Sequence, residues 1–463
     1  MAELGYVYDA RLREEEGSIG VHVAFASKSS MFVKYLNGHR PHSGRNFESL
    51  TLIIDQKELK LGKCLFNSSN SNPSFDGKLL FTDDVYNFND IMLNGSVSNL
   101  ATHFQKLPVI LTQKSKVRQS FIAYTASLIY DLNAYQSFFD QLDREYCVEP
   151  PEVYRLIQSI VIEKEGPGFR RCFDERLERL AELVANFSAD ENQAHGYYFR
   201  RQIWPFIAIS DFLTRTNLKP QGYAGDFLTI AMVYENNYVG NSIFSKLMHK
   251  HPIETVAAKA VRSRRRMICT ELAHAARLVP PGRKTHIVSI ACGPFCEIED
   301  ILDSPQKSRE LQFTLLDQDP DALAAAANSI HRRERELHTK ADFKLLNESV
   351  RTLIRYDDLE DRIGRANFIY SLGLYDYLTD RIAAALTKTL YELLEPGGVL
   401  MLGNFHVNNP TRVYMEYWMD WVLYYRNTAE FQEMAADLPG AKTEIKFEET
   451  GSHMFLVISK SNA

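Results

Sequence analysis

The sequence predicts an α/β fold: a doubly wound sheet in the C-terminal half, a helical middle region and a small β-barrel at the N-terminus. Three observations carry this. From about residue 285 to 440, short apolar runs alternate with stretches of helical spacing. Residues 101–250 are mostly helical by pattern. Residues 1–100 hold short strand-like runs parted by polar and Gly- or Asn-containing stretches. The predicted domains are 1–100, 101–250 and 251–463.

The chain is organised around residues 286–317. His286-Ile-Val-Ser-Ile290 is apolar and β-branched, as a buried strand would be. Ile298, Ile301 and Leu302 then recur at helical spacing, with Gly293 and Pro294 in between. A strand, a tight turn and a helix start form the place where α/β sheets hold nucleotide-like ligands. The second strand, Leu311-Gln-Phe-Thr-Leu-Leu316, ends on Asp317. Asp317 follows Gly293 by 24 residues, near the ~20 of an acid that binds ribose hydroxyls. A dinucleotide loop needs three glycines so that backbone can approach a pyrophosphate. Here Ala291, Gly293 and Phe295 hold the alternating positions, and no Gly-Lys-Ser/Thr follows. A ligand with a ribose and no phosphate fits better, and S-adenosyl-L-methionine is such a ligand. The alternative is an ordinary strand–turn–helix with a capping acid.

Composition narrows the class. The 463 residues suffice for two or three domains. Lys and Arg total 53 against 59 Asp and Glu, a formal charge of −6, which argues against bulk binding to nucleic acid. Six cysteines are too sparse for a disulfide framework, and Cys292 and Cys296 lack a second close pair for zinc, so no metal is expected. A reduced, cytoplasmic setting is the default. Met1-Ala-Glu-Leu-Gly-Tyr6 shows no signal-peptide pattern, and no run approaches a membrane span.

In order along the chain, candidate strands are Val21–Phe25, Ser30–Tyr35, Leu50–Ile54 and Leu79–Thr82, with the polar stretch Asn67–Ser74 between the last two. Phe121, Tyr124, Leu128, Tyr130, Leu132 and Tyr135 form an aromatic-rich helical segment. Glu149-Pro-Pro151 and Glu165-Gly-Pro-Gly168 are expected to punctuate the helices. Residues 251–279 read as one long helix ended by Pro280-Pro-Gly282. Strands are then expected at 286–291, 311–317, 342–346, 366–371 and 397–405, and helices at 320–337 and 380–394. Two last strands, near 442–448 and 452–459, are joined through Thr450-Gly-Ser452. Five parallel strands followed by a hairpin is the order of a Rossmann-like class I methyltransferase sheet.

Ligands in such sheets sit beyond the carboxyl ends of the strands. The cofactor contacts expected are Ala291, Gly293 and Pro294 in the first loop, then Asp317 and Gln318. Glu348, Ser349 and Val350 follow the third strand, where Ser349 equally reads as a helix cap. Ser371, Leu372 and Gly373 follow the fourth. Tyr375, Asp376 and Tyr377 would line the methyl-transfer site or pack the turn. Asn404 and His406 emerge after Glu395-Pro-Gly-Gly398 and the fifth strand, and His406 binds substrate or caps the next segment. Lys219-Pro-Gln-Gly-Tyr-Ala-Gly-Asp226 is a polar loop with two glycines; Tyr223 and Asp226 would cover the cofactor's amino-acid end, or the loop is a plain turn. Within Val261-Arg-Ser-Arg-Arg-Arg266, otherwise a solvated face, Arg262 is the cation for an acidic group. Glu416, Trp418, Tyr424, Tyr425 and Arg426 would close a substrate pocket or fill a core.

The string Tyr370-Ser-Leu-Gly-Leu-Tyr-Asp-Tyr-Leu-Thr-Asp-Arg381 resembles the bacterial 3-hydroxypalmitic acid methyl ester biosynthesis proteins. So do Gly222–Asp226, Ala260–Arg264, Met401–Phe405 and Met415–Trp421. The resemblance implies a class I S-adenosylmethionine-dependent methyltransferase with a hydroxy fatty acid carboxylate as acceptor. The first 100 residues resemble PilZ-like barrels more loosely. Asn72-Pro-Ser-Phe-Asp-Gly77 matches one half of the cyclic di-GMP pattern. The Arg-x-x-x-Arg half is missing: Arg11 and Arg13 are too close, Arg40 and Arg45 too far apart. The barrel therefore reads as structural or as a partner surface.

Three functions follow. An ionised carboxylate acceptor needs no base, and Tyr375, His406 or Arg262 would orient it. A hydroxyl or amine needs one, and Asp376 or His406 would serve; for an amine, Tyr223, Tyr375 and Tyr377 could hold the cation. The third reading is a non-catalytic sensor. The expected partner is a small-molecule substrate, with a homodimer compatible and neither nucleic acid nor stable membrane insertion expected.

Overall fold

The computed structural model describes residues 8–14, 17–27, 30–36, 41–54, 57–68, 75–83, 116–355 and 358–462. The chain forms two compact units, Met1–Lys116 and Val117–Ala463. The start of the chain, Arg40 and Asn72–Ser74 of the cyclic di-GMP-like pattern lie outside the described residues.

The first unit contains β1 (Tyr8–Glu14), β2 (Gly17–Ser27), β3 (Ser30–Tyr35), β4 (Asn46–Phe47), β5 (Ser49–Ile54), β6 (Lys57–Leu61), β7 (Cys64–Asn67) and β8 (Gly77–Phe81). They pair in the order β4-β7-β8-β3-β2-β1-β5-β6, antiparallel throughout. Among the described residues this pairing does not close into the barrel the sequence suggests. Alternate residues such as Leu12, Val21, Val23, Met31, Val33, Leu50 and Leu52 face one core, as a period of two requires. Arg11, Arg13 and Arg45 pair with Glu58, Glu48 and Glu14.

The second unit begins with seven helices: α1 (Gln119–Tyr146), α2 (Pro151–Val184), α3 (Ala189–Ile207), α4 (Asp211–Leu218), α5 (Phe227–Glu235), α6 (Ile243–Ile253) and α7 (Val256–Ala276). Pro151 opens α2 at its first position, where its missing N–H costs nothing. Gly166 and Pro167 do not break α2, contrary to the sequence expectation. Phe169 and Phe173 bury the following turns in an aromatic cluster with Phe139, Phe244 and Trp418, and Gly166 lets Leu247 lie close. Each buried ring contributes about 1.5–3 kcal/mol, enough to offset the ~3 kcal/mol of an interior proline. The single helix expected over 251–279 is two: α6 ends around Pro252, and the Thr255 side chain caps the start of α7 by accepting from the Ala258 N–H.

Behind them lie β9 (Thr285–Ile290), β10 (Leu311–Asp317), β11 (Asp342–Asn347), β12 (Ala366–Ser371), β13 (Leu394–Phe405), β14 (Ala441–Phe447) and β15 (His453–Lys460). Their order is β11-β10-β9-β12-β13-β15-β14, with β9 to β13 parallel and β15 alone reversed, antiparallel to both β13 and β14. Both faces are covered. Ile268, Leu272 and Ala275 of α7 pack over Ile287, Phe368 and Met401 on one side. Ala383, Leu386 and Leu390 of the helix Asp380–Glu392 pack near Val288, Ile369 and Leu400 on the other. The chain direction reverses its walk across the sheet between β9 and β12, and that switch point opens a crevice at the strand tips. No helix among the described residues is long and apolar enough to cross a membrane.

Candidate active site

A cavity lies at those tips, over β9, β10 and β12. Its floor is the loop after β9. Ala291, Gly293 and Phe295 all have left-handed backbones, with φ of 53°, 55° and 52°. Only one is glycine, so the other two carry a conformational cost of roughly 1–2 kcal/mol each. Phe295 offsets its share by full burial against Phe313. A Cβ on Gly293 would meet nothing within 4 Å, so its glycine serves the backbone turn and an unobstructed cavity face.

Asp317 closes β10 and ties this loop down. Its Oδ2 accepts from Gly293 N–H at 2.9 Å, and its Oδ1 accepts from Asp319 N–H at 3.0 Å. Burial raises its pKa, while these amides work the other way. Beside it, Glu348 pairs with Arg362 and gives its N–H to Asp317 O at 3.0 Å. Val350 and Leu353 form an apolar wall next to the two acids.

The roof comes from the helical region. Tyr223 meets Tyr377 edge-on, with ring centroids 5.6 Å apart. Trp421 Nε1 donates to the Tyr377 hydroxyl at 2.8 Å. The loop 219–226 is clamped where it passes this pair: Lys219 Nζ reaches Asp420 Oδ2 at 2.6 Å, and Arg200 reaches Asp420 Oδ1 at 2.9 Å. Phe405 and Leu423 complete the apolar side.

Of the residues named from the sequence, Ala291, Gly293, Pro294, Asp317, Gln318, Glu348, Val350, Leu372, Gly373, Tyr223, Asp376 and Tyr377 lie on the cavity wall. Six others do not. Ser349 accepts from Thr352 N–H and caps a helix, and Ser371 donates to Ile290 O between strands. Asp226 is fully buried, caps α5 through Thr229 N–H at 2.9 Å and pairs with Arg215 at 2.7 Å, so its carboxylate is consumed by the fold. Arg262 donates to the carbonyls of Val233 and Ile253, the ends of two helices. Tyr375 turns into the core and bonds Thr387. His406 bridges to Arg426 and lies against Phe447.

Among the wall residues that the sequence reading missed are Arg264, Glu297 and Tyr234. Arg264 is buried beside Gly373; its Nη1 donates to Leu372 O at 3.0 Å, and its Nε has no partner. It falls in the buried phase of α7, with Val261, Ile268 and Leu272, and a cation at an apolar phase was the signal available. Glu297 is buried and accepts from the Tyr370 hydroxyl at 2.9 Å; burial raises its pKa. Tyr234 arrives from α5. Nothing local marked either of these two.

Asp376 is the acid on the far side. Its Oδ1 accepts from Phe405 N–H at 2.7 Å. Burial lifts its pKa to about 7, against the pull of the Phe405 amide, Arg264 and Arg426.

A parallel sheet with this switch point, an antiparallel β15 beside β13, and an acid-closed cavity at the tips define a class I methyltransferase domain. Residues 220–454, more than half of the chain, match a family described as "Putative methyltransferase", and the chain belongs to that methyltransferase family. A search of the curated proteins returns no match. Among solved structures it is similar to a protein from Bordetella parapertussis described as a possible exported protein, at 15% identity over 62% of this chain and 93% of that one, with a TM-score of 0.43. It is also similar to magnesium protoporphyrin IX methyltransferase from Synechocystis PCC 6803 with bound SAM, at 12% identity over 45% of this chain and 85% of that one, TM-score 0.32. A third is the CurJ carbon methyltransferase, at 14% identity over 63% and 80%, TM-score 0.36.

Proposed function

We propose that the protein is an S-adenosyl-L-methionine-dependent methyltransferase acting on a small molecule. The observation that carries this is Asp317, an acid on the cavity wall, tied to Gly293 at the tip of β10. Its position suits the two ribose hydroxyls. Val350 and Leu353 suit an adenine face, and Glu348 its edge. No phosphate need be accommodated: the wall offers Arg264 and no lysine. Arg264 and Glu297 give the amino-acid end one cation and one anion. When bound, S-adenosylmethionine supplies a methyl group already activated on sulfur.

The protein's own part is alignment and exclusion of water. The roof of Tyr223, Tyr377 and Trp421 serves both. Two acceptor classes suit the remaining wall. A carboxylate, such as that of a hydroxy fatty acid, is what the resemblance at 370–381 implies, and Arg264 would hold it. An amine or hydroxyl is favoured by Asp376. A cytoplasmic setting belongs to the same reading, since all six cysteines are free thiols. So does a structural or partner-binding role for the N-terminal unit, and a homodimer checked by light scattering.

Calorimetry with S-adenosylmethionine and S-adenosylhomocysteine tests the cofactor. Binding of both is expected, and no heat with either in folded protein sinks the reading.

A further inference from the structure

On the methyltransferase reading above, we propose that the acceptor is a hydroxyl or amine that must surrender a proton, and that Asp376, faced by His453, receives it.

Asp376 stands on the acceptor side of the cavity, with Tyr377, Phe405, Trp421 and Leu423. Phe405 N–H occupies Oδ1. Oδ2 faces Nε2 of the fully buried His453 at 4.0 Å, and the Leu372 carbonyl lies against the same imidazole. Of the nearby cations, Arg264 of α7 gives one N–H to Leu372 O and keeps its Nε without a partner among the described residues. Arg426 holds the carbonyls of Tyr375 and Leu378, Asn404 Oδ1 and Asp380. Neither lies within ion-pair distance of Asp376. The phenols of Tyr377 and Tyr425 feel its charge and stay protonated. His453 is neutral, because burial and Arg264 push its pKa well below the usual range. A buried acid with no ion partner and a pKa of about 7 is poised to exchange a proton near neutrality.

The need for a base separates the acceptors. A carboxylate needs none, and beside it Asp376 would stay protonated and idle, since two anions in a dry cavity are disfavoured. With a protic acceptor the charges cancel. Its lone pair bonds the methyl carbon, the carbon–sulfur electron pair remains on sulfur as a neutral thioether, and its proton moves to Asp376, which becomes neutral. The sulfonium and the carboxylate vanish together. His453 is the positioning residue: its Nε2, 4.0 Å from Oδ2, is a ring nitrogen toward which the newly protonated oxygen can turn.

Proton release measured by calorimetry in two buffers of different ionisation heat tests this without any acceptor. The titrations span the raised pKa of Asp376, from about pH 5 to pH 8. Where the free protein still holds that proton, the sulfonium of S-adenosylmethionine should expel a fraction of a proton more than the uncharged thioether of S-adenosylhomocysteine does. The excess should vanish in Asp376→Asn. In His453→Phe it should move to another pH, and His453→Gln serves if that variant melts early. Equal release by the two ligands overturns the proposal, whereas absence of binding by both overturns the cofactor reading instead. A second arm uses methyl-labelled donor with a deproteinised cell extract. Label that survives mild alkali supports an ether or N-methyl product; label released as methanol marks an ester and overturns the proposal.

Discussion

Trp421 Nε1 donates to the hydroxyl of Tyr377 at 2.8 Å, and Gly225 lies flat against both side chains. A Cβ at Gly225 would come within 2.5 Å of Trp421 Cζ2 and of the Tyr377 oxygen. Gly225→Ala must therefore lift the loop off the cavity. Overpacking of this kind costs about 1–3 kcal/mol of stability, a drop of several degrees at most in melting temperature. S-adenosylhomocysteine titrations on the folded variant should show weaker binding than the parent's. Unchanged binding would mean that the loop is not a roof.

Asp317→Asn keeps the shape and removes the charge. Hydrogen bonds to a charged group are worth about 1.5–3 kcal/mol, so cofactor affinity should fall about 10- to 100-fold. Asn offers one oxygen for the two N–H donors of Gly293 and Asp319, so one of them loses its acceptor and stability should fall by about 1–3 kcal/mol. Calorimetry and a thermal melt on the same sample read the two effects separately.

The pairing of Arg215 with Asp226 predicts an asymmetry. Arg215→Ala leaves a fully buried carboxylate without its cation, at a cost of about 3–5 kcal/mol. Asp226→Asn still accepts from Thr229 N–H and should cost less. Because Asp226 is off the cavity wall, that variant should bind S-adenosylhomocysteine as the parent does. Denaturant unfolding gives the stabilities; a large loss of ligand affinity in Asp226→Asn would restore the binding role the sequence suggested.

Asp376 should make stability depend on pH with an unusual sign. Its folded pKa, about 7, lies above the ordinary carboxyl value. Between about pH 4 and 7 the folded state holds a proton that the unfolded state has lost. Stability is therefore full below that window and falls as pH rises through it, by a few kcal/mol at most. Asp376→Asn should flatten the melting temperature between pH 5 and 8 and be the more stable protein at pH 8. A parallel decline in parent and variant would show that Asp376 is not the cause.

Tyr375→Phe removes one hydrogen bond, to Thr387, inside the core. About 1 kcal/mol of stability should go, with cofactor affinity unchanged. A substantial affinity loss in this variant would place Tyr375 in the site after all.

The order of strands and helices from 285 to 460 was legible because it is written in local periodicity. Short continuous apolar runs mark the buried strands such as β9, β10, β12 and β13, and a period near 3.6 marks the helices between them. The crevice followed from that order, with Gly293 and Asp317 at its edge. Pro167 misled because interior packing of Phe169 and Phe173 outweighs a local rule.

Sequence alone thus determined the succession of strands and helices and the loop–acid pair after β9, because neighbours along the chain decide those; the strand order in space and its switch point came from pairings remote in the chain. Only the tertiary structure chose between Arg262 and Arg264. Two positions apart on α7, they point to nearly opposite sides of a helix, and remote contacts with Leu372 on one side and Val233 on the other fix which faces the cavity. The same holds for the acids. Asp226 and Asp376 look alike as letters, but Arg215 neutralises the first in the fold, while burial leaves the second without a cation at the cavity wall.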